Sequence, residues 1–202
     1  MVTPDDVLRF WLDEVGPAGW YKASETLDAE VRERFLAAWQ NAREGAYGLW
    51  LTYPNGMLAY VILTDQFPRN MFRDDARAFA TDQQALAAGK VAINRGWDLR
   101  IDEPARQFFY LPLMHSENLC DQERCVRLMC ERMPEHGAQN LTHARASRGY
   151  PAVWPLSLSQ RSAGAAIHRI GTGVRGRGRL WWYPAADHAG GVICDLIRVR
   201  NC

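Results

Sequence analysis

The chain has 202 residues and is 48% hydrophobic, which suffices for one domain, or one and a half, with a real core. No run approaches the roughly 20 apolar residues of a membrane span, and the opening MVTPDDVLRFW lacks the basic start and apolar run of a secretion signal; the expectation is a soluble, cytoplasmic protein. The net charge of +1 hides a division: residues 1–146 carry 16 Lys and Arg against 21 Asp and Glu, net −5, whereas 147–202 carry eight Arg, no Lys and only Asp187 and Asp195, net +6. The chain is therefore read as a helical domain over 1–146 and an atypical basic tail over 147–202.

In chain order, Thr3 as cap, Pro4 at the first helical position and Asp5 and Asp6 at the positive end of the dipole open a first helix running to about Leu12. Gly16, Pro17 and Gly19 break it. Thr26 and Asp28 open a second, with Val31, Phe35, Ala38 and Ala42 on one face, and Gly45 closes it. After Pro54-Asn55-Gly56 the run MLAYVILTDQF is apolar enough to be a central helix, which Pro68 should stop. Asp74 or Asp75 caps a fourth, in which Phe79, Leu86 and Ile93 recur every seven residues, while Ala78, Ala85, Ala88, Gly89 and Ala92 keep it thin for close packing. Asp102-Glu103-Pro104 opens a fifth through ARQFFYL, and a sixth covers about Asp121 to Met133. Strand-like alternation is absent. The class is all-α, with helices joined by short turns as antiparallel neighbours in a bundle or a stack of hairpins, and no repeat of fixed period. From Ser147 onward neither period persists, so an irregular tail is expected.

Two polar segments invite chemistry. DQFPRN puts Asp65 and Gln66 in the last turn of an apolar helix, where the dipole disfavours an acid, so a partner should hold Asp65. An internal pair with Arg69 or Arg73 is the plain reading. The sharper one makes Asp65 a base or anchor, with Arg69 and Arg73 offering planar forks, beside Asn70, to a carboxylate or phosphate. YLPLMHSENL sets His115, Ser116 and Glu117 just after a helix bent at Pro112. Ser116 as a helix cap explains Ser and Glu without function, but His115 is harder to dismiss, since a neighbour such as Asp65 can tune an imidazole for work near neutral pH.

Other patterns carry less. Five cysteines without a C-x-x-C pair fit a reducing compartment. Cys120, Cys125 and Cys130 recur every five residues, a step that turns each thiol by about 140° around a helix, so they cannot share one ion and read as small apolar residues. Trp11, Trp20, Tyr21, Trp39, Trp50 and Tyr53 read as packing. Residues 1–146 contain no H-E-x-x-H, G-x-S-x-G or glycine-rich phosphate loop, and neither a metal nor a cofactor is implied.

Together, VLRFWLDE at 7–14, MLAYVILTDQFPRNMFR at 57–73 with AFATD at 78–82, and FFYLPLMHSENLCDQE at 108–123 resemble the bacterial family known as domain of unknown function 924. The resemblance spans about residues 5–146. It implies a tetratricopeptide-like all-helical fold and no reaction. Members of that family continue with an HR element and an FGR-x-P-x-RN element, which are missing here. Back-translated with synonymous codons chosen freely and read one base out of frame from Ala146, one consistent choice yields both, the glycine of FGR being forced by Trp154, so 147–202 is expected to be out-of-frame text whose native counterpart completed the polar patch. The competing reading, a basic nucleic-acid-binding arm, suits GVRGRGRLWWY but not its lack of Lys or the nearby Pro151, Pro155 and paired Trp181 and Trp182.

Two functions follow. The one weighted first is a binding module presenting Arg69, Asn70, Arg73, Ser116 and His115 to a peptide or small anionic molecule. The second is a small-molecule enzyme using Asp65, His115 and Glu117 as acid–base groups.

Overall fold

Thr3 starts the first helix as expected. In the computed structural model, which describes residues 1–146 and side chains as far as Leu141, the Thr3 hydroxyl accepts from the Asp6 N–H and the Asp6 carboxylate accepts from the Thr3 N–H, closing a capping box on α1 (Pro4–Leu8). The helix does not end near Leu12. It continues as a π-helical stretch, Arg9–Val15, and leads into α2 (Gly16–Gly19). Gly16 ends the wide turn because its φ of +63° is open to glycine, and its N–H reaches back to the Trp11 carbonyl.

Ser24 caps α3 (Glu25–Arg43), slightly ahead of the expected Thr26, and the predicted face of Val31, Phe35, Ala38 and Ala42 is buried, joined by Trp39. The central helix is α4 (Pro54–Val61), and residues 56–68 are buried without exception. Pro68 does not stop it. The chain widens into a π-helical turn, Ile62–Gln66, and resumes as α5 (Phe67–Met71) with Pro68 in its first turn.

Proline has no N–H for the carbonyl four residues back and its ring crowds that group. The wide turn answers this by bonding the Phe67 N–H to the Ile62 carbonyl. The Thr64 carbonyl, left over, accepts from the Thr81 hydroxyl at 2.6 Å, and that hydroxyl accepts from the Trp39 indole N–H at 3.0 Å. Three buried polar groups are thereby satisfied.

The fourth helix begins later than predicted. Asp75 caps a 3₁₀ turn, Ala76–Phe79, and α6 spans Asp82–Asn94. Phe79 thus lies outside the helix and is 54% exposed, so the seven-residue spacing with Leu86 and Ile93 did not mark one face. The segment read as a fifth helix is a 3₁₀ turn, Ala105–Phe109, followed by α7 (Leu111–His115), because Pro112 fits only a first turn. Asn118, rather than Ser116, caps α8 (Leu119–Arg132). A further helix, α9 (Gly137–Ala146), was not anticipated: GAQNLTHARA carries too few apolar residues to show a stripe. The expectation for 147–202 lies outside the described residues.

The described residues contain helices and turns and no strand, which is the all-α class. None of these helices is long and apolar enough to cross a membrane. From α6 onward neighbours in sequence pack together, α6 on α7, α7 on α8 and α8 on α9, whereas α1 packs on α4 and α3 on α5. Phe67 holds the middle, its ring 5.9 Å from Phe10, 5.4 Å from Trp11 and 4.6 Å from Phe35. The other predicted packing aromatics are buried or partly buried except Tyr53, which is exposed.

Candidate functional site

The wide turn at Ile62–Gln66 and the end of α7 meet. Asp65 projects from the first and His115 is the last residue of the second, and His115 Nδ1 stands 2.6 Å from Asp65 Oδ1. Both side chains are almost wholly buried, 1% and 2% exposed. Fifty positions of sequence separate them. What joins them is α6, which packs on α4, on the wide turn and on α7.

Asp65 is not held by the imidazole alone. Gln66 donates its amide N–H to Asp65 Oδ2, and Arg69, one helical turn on, places Nη1 3.3 Å from Asp65 Oδ1 while donating to the Asp65 backbone carbonyl at 2.7 Å. The Arg69 fork is spent on Asp82 at the start of α6, with both nitrogens at 2.8 Å from its two oxygens. A polar row Asp82–Arg69–Asp65–His115 therefore runs from the partly exposed edge to the interior. Such a row is tolerable in a buried place because each carboxylate has a donor and the guanidinium has two acceptors.

The remaining predicted residues sit elsewhere. Of the two arginines offered to Asp65, only Arg69 takes it. Arg73 reaches across to α3, donating Nε and Nη2 to the two oxygens of Asp28 at 2.7 and 2.9 Å, and Asn70 donates to the same carboxylate at 2.8 Å. Asp28 holds Arg73 firmly protonated. Ser116 donates to Asp121 Oδ2 at 3.0 Å, and does not cap α8. Glu117 is exposed, with no hydrogen bond or ion pair tying it to Asp65 or His115. The structure thus joins Asp65, His115 and Arg69, places Asn70 and Arg73 in a neighbouring pair with Asp28, and leaves Glu117 outside.

Sequence reasoning missed Asp82 as a site residue. Its signal was present in AFATD, an acid just after Thr81 at a helix start, but nothing local said that it faces Arg69. It also missed a second buried carboxylate, Asp98, which accepts from Tyr110 Oη at 2.6 Å and Arg132 Nη1 at 2.7 Å. Burial, then the Asp98 carboxylate, push the Tyr110 phenol well above its ordinary range, so it stays protonated as a donor. Among the described residues no three His, Cys, Asp or Glu side chains converge as a metal site. Cys120 is exposed while Cys125 is buried, and burial pushes the Cys125 thiol far up, which keeps it unreactive.

A solved structure of a protein of unknown function from Agrobacterium tumefaciens is 35% identical, with a TM-score of 0.63, the alignment covering 72% of this chain and 80% of that one. No curated protein sequence matches. The model of the family described as "Bacterial protein of unknown function (DUF924)" matches residues 7–162. Most of the chain lies within that match, and the chain belongs to this bacterial family.

Proposed function

We propose that the chain works through a proton-handling centre built on Asp65 and His115, acting on a small polar molecule. One observation carries the reading: a buried carboxylate lies 2.6 Å behind a buried imidazole. An ionised carboxylate only accepts, so this bond sets a hydrogen on Nδ1 and leaves the ring's second function to Nε2, a base when bare and an acid when protonated. A carboxylate in that position orients a histidine for acid–base work. The wide turn that carries Asp65 adds support, because π-helical turns gather at functional sites.

Recognition of a peptide or small anion is the second reading, and Arg73, 46% exposed, favours it most. Its difficulty is that Arg69 and Arg73 are each forked on an aspartate. An incoming anion must displace Asp82 or Asp28 and leave that carboxylate without its partner, which is costly for a partly buried group. Proton transfer asks for no such exchange.

The test is a thermal-shift screen of small carboxylic acids, phosphate esters, carboxylic esters, amides and short peptides, followed by product analysis on every compound that raises the melting temperature. The expected outcome is a stabilising compound that is consumed, with the rate falling about 100-fold or more in folded His115→Gln and Asp65→Asn. A stabilising compound that binds His115→Gln equally well and is never consumed contradicts proton transfer.

A further inference from the structure

His115 is the last residue of a five-residue helix, a weak place from which to hold a working ring. The last carbonyls of a helix have no partner within it, and such ends fray. Proton transfer needs its groups held to within about half an ångström. Something beyond α7 must therefore fix the chain at this point.

Ser116, the next residue, is gripped from several directions. Its hydroxyl donates to Asp121 Oδ2 at 3.0 Å and accepts from the Asn118 N–H at 3.2 Å, and its carbonyl accepts from Gln122 Nε2 at 2.7 Å. Asp121 is itself anchored from α6, where Lys90 Nζ lies 2.7 Å from Oδ1 and 2.8 Å from Oδ2. Its side chain is 11% exposed. Three helices are thus linked in a relay: α7 supplies the chain end at Ser116, α8 binds it directly through Asp121 and Gln122, and α6 reaches it only through the Lys90–Asp121 pair.

These contacts exceed what helix capping requires. Asn118 already caps α8, accepting from the Cys120 N–H at 2.9 Å, and Asp121 in the first turn already meets the favourable end of the dipole. Neither Ser116 nor Lys90 is needed to begin α8. We propose that Ser116, Asp121 and Lys90 form a positioning clamp that holds the His115 ring against Asp65. The clamp touches no substrate and acts through the backbone of residues 115–116. It rests on the reading of Asp65 and His115 as an acid–base centre.

The test reads His115 itself. With isotope-labelled imidazoles, the wild type gives one Nδ1–H proton resonance displaced downfield by the short bond to Asp65. Asp121→Asn, Ser116→Ala and Lys90→Met are expected to lose that resonance or split it in two, while Lys90→Arg retains it. Should Asp121→Asn fail to fold, Ser116→Ala, which removes one hydroxyl, decides. Variants that melt earlier yet keep the resonance unmoved show contacts that merely join helices, and overturn the proposal. The spectrum needs no substrate. An unmoved resonance therefore removes the clamp and spares the acid–base centre, whereas a lost resonance together with a stabilising compound that binds His115→Gln equally well and is never consumed sustains the clamp as a structural device and removes the centre.

Discussion

Asp98 is buried as deeply as Asp65 but keeps different company. Both of its donors, Tyr110 and Arg132, land on Oδ2, and Oδ1 has no hydrogen-bond partner among the described residues. Losing one donor therefore bears on a carboxylate already short of partners. Tyr110→Phe should lower the unfolding free energy by about 2 kcal/mol, read as an earlier urea midpoint with an unchanged slope. A neutral result would mean that the phenol contributes little to holding this charge. At the surface, the Thr3 hydroxyl and then its backbone N–H lower the Asp6 pKa from 3.8. A carboxylate depressed in the folded state stabilises above its unfolded value and loses that contribution as pH falls through the folded one. The melting temperature of Asp6→Asn should accordingly lie below wild type at about pH 7 and converge on it as the pH falls below the lowered value of Asp6. A gap that persists in acid would assign the effect to packing rather than to charge.

Among the elements, α6 depends on being thin. A Cβ on Gly89 would sit 2.9 Å from the Phe109 backbone carbonyl, in the turn that leads to α7. Alanine gains about 1 kcal/mol of helix propensity over glycine, while forcing a rigid contact apart costs about 1–3 kcal/mol. Gly89→Ala should therefore be destabilising in urea despite better propensity, and a stabilised variant would show that α6 and α7 have room to separate. That thinness was legible in the sequence as a run of Ala and Gly, as were the Thr3 cap, the buried face of α3 and the centrality of residues 57–67. The wide turns were not. Pro68 signals a break, and only the packed core makes it cheaper to widen the helix and hand the Thr64 carbonyl to Thr81 than to end it. Phe79 misled for a related reason: a seven-residue spacing records a pattern, not whether one helix spans it.

At the scale of the molecule, DQFPRN and MHSE were recognisable as unusual, and the meeting of Asp65 with His115 follows from tertiary packing that no local pattern encodes. Asp82 illustrates the limit, since its partner Arg69 lies thirteen positions away. The charge division at Ala146 raises a separate question. The family match continues past it, in the frame given, to residue 162, which speaks against a shift at Ala146; our proposal that 147–202 is out of frame is decided at the gene, where resequencing should find one base gained or lost near the Ala146 codon and an intact frame removes the proposal. The two distant segments meet at a single buried contact, Asp65 with His115, whose energetic coupling can be measured. A double-mutant cycle of Asp65→Asn and His115→Gln by urea unfolding measures that directly. A coupling of about 1–3 kcal/mol is expected, and effects that add within about 0.5 kcal/mol would show that the two segments are not joined there.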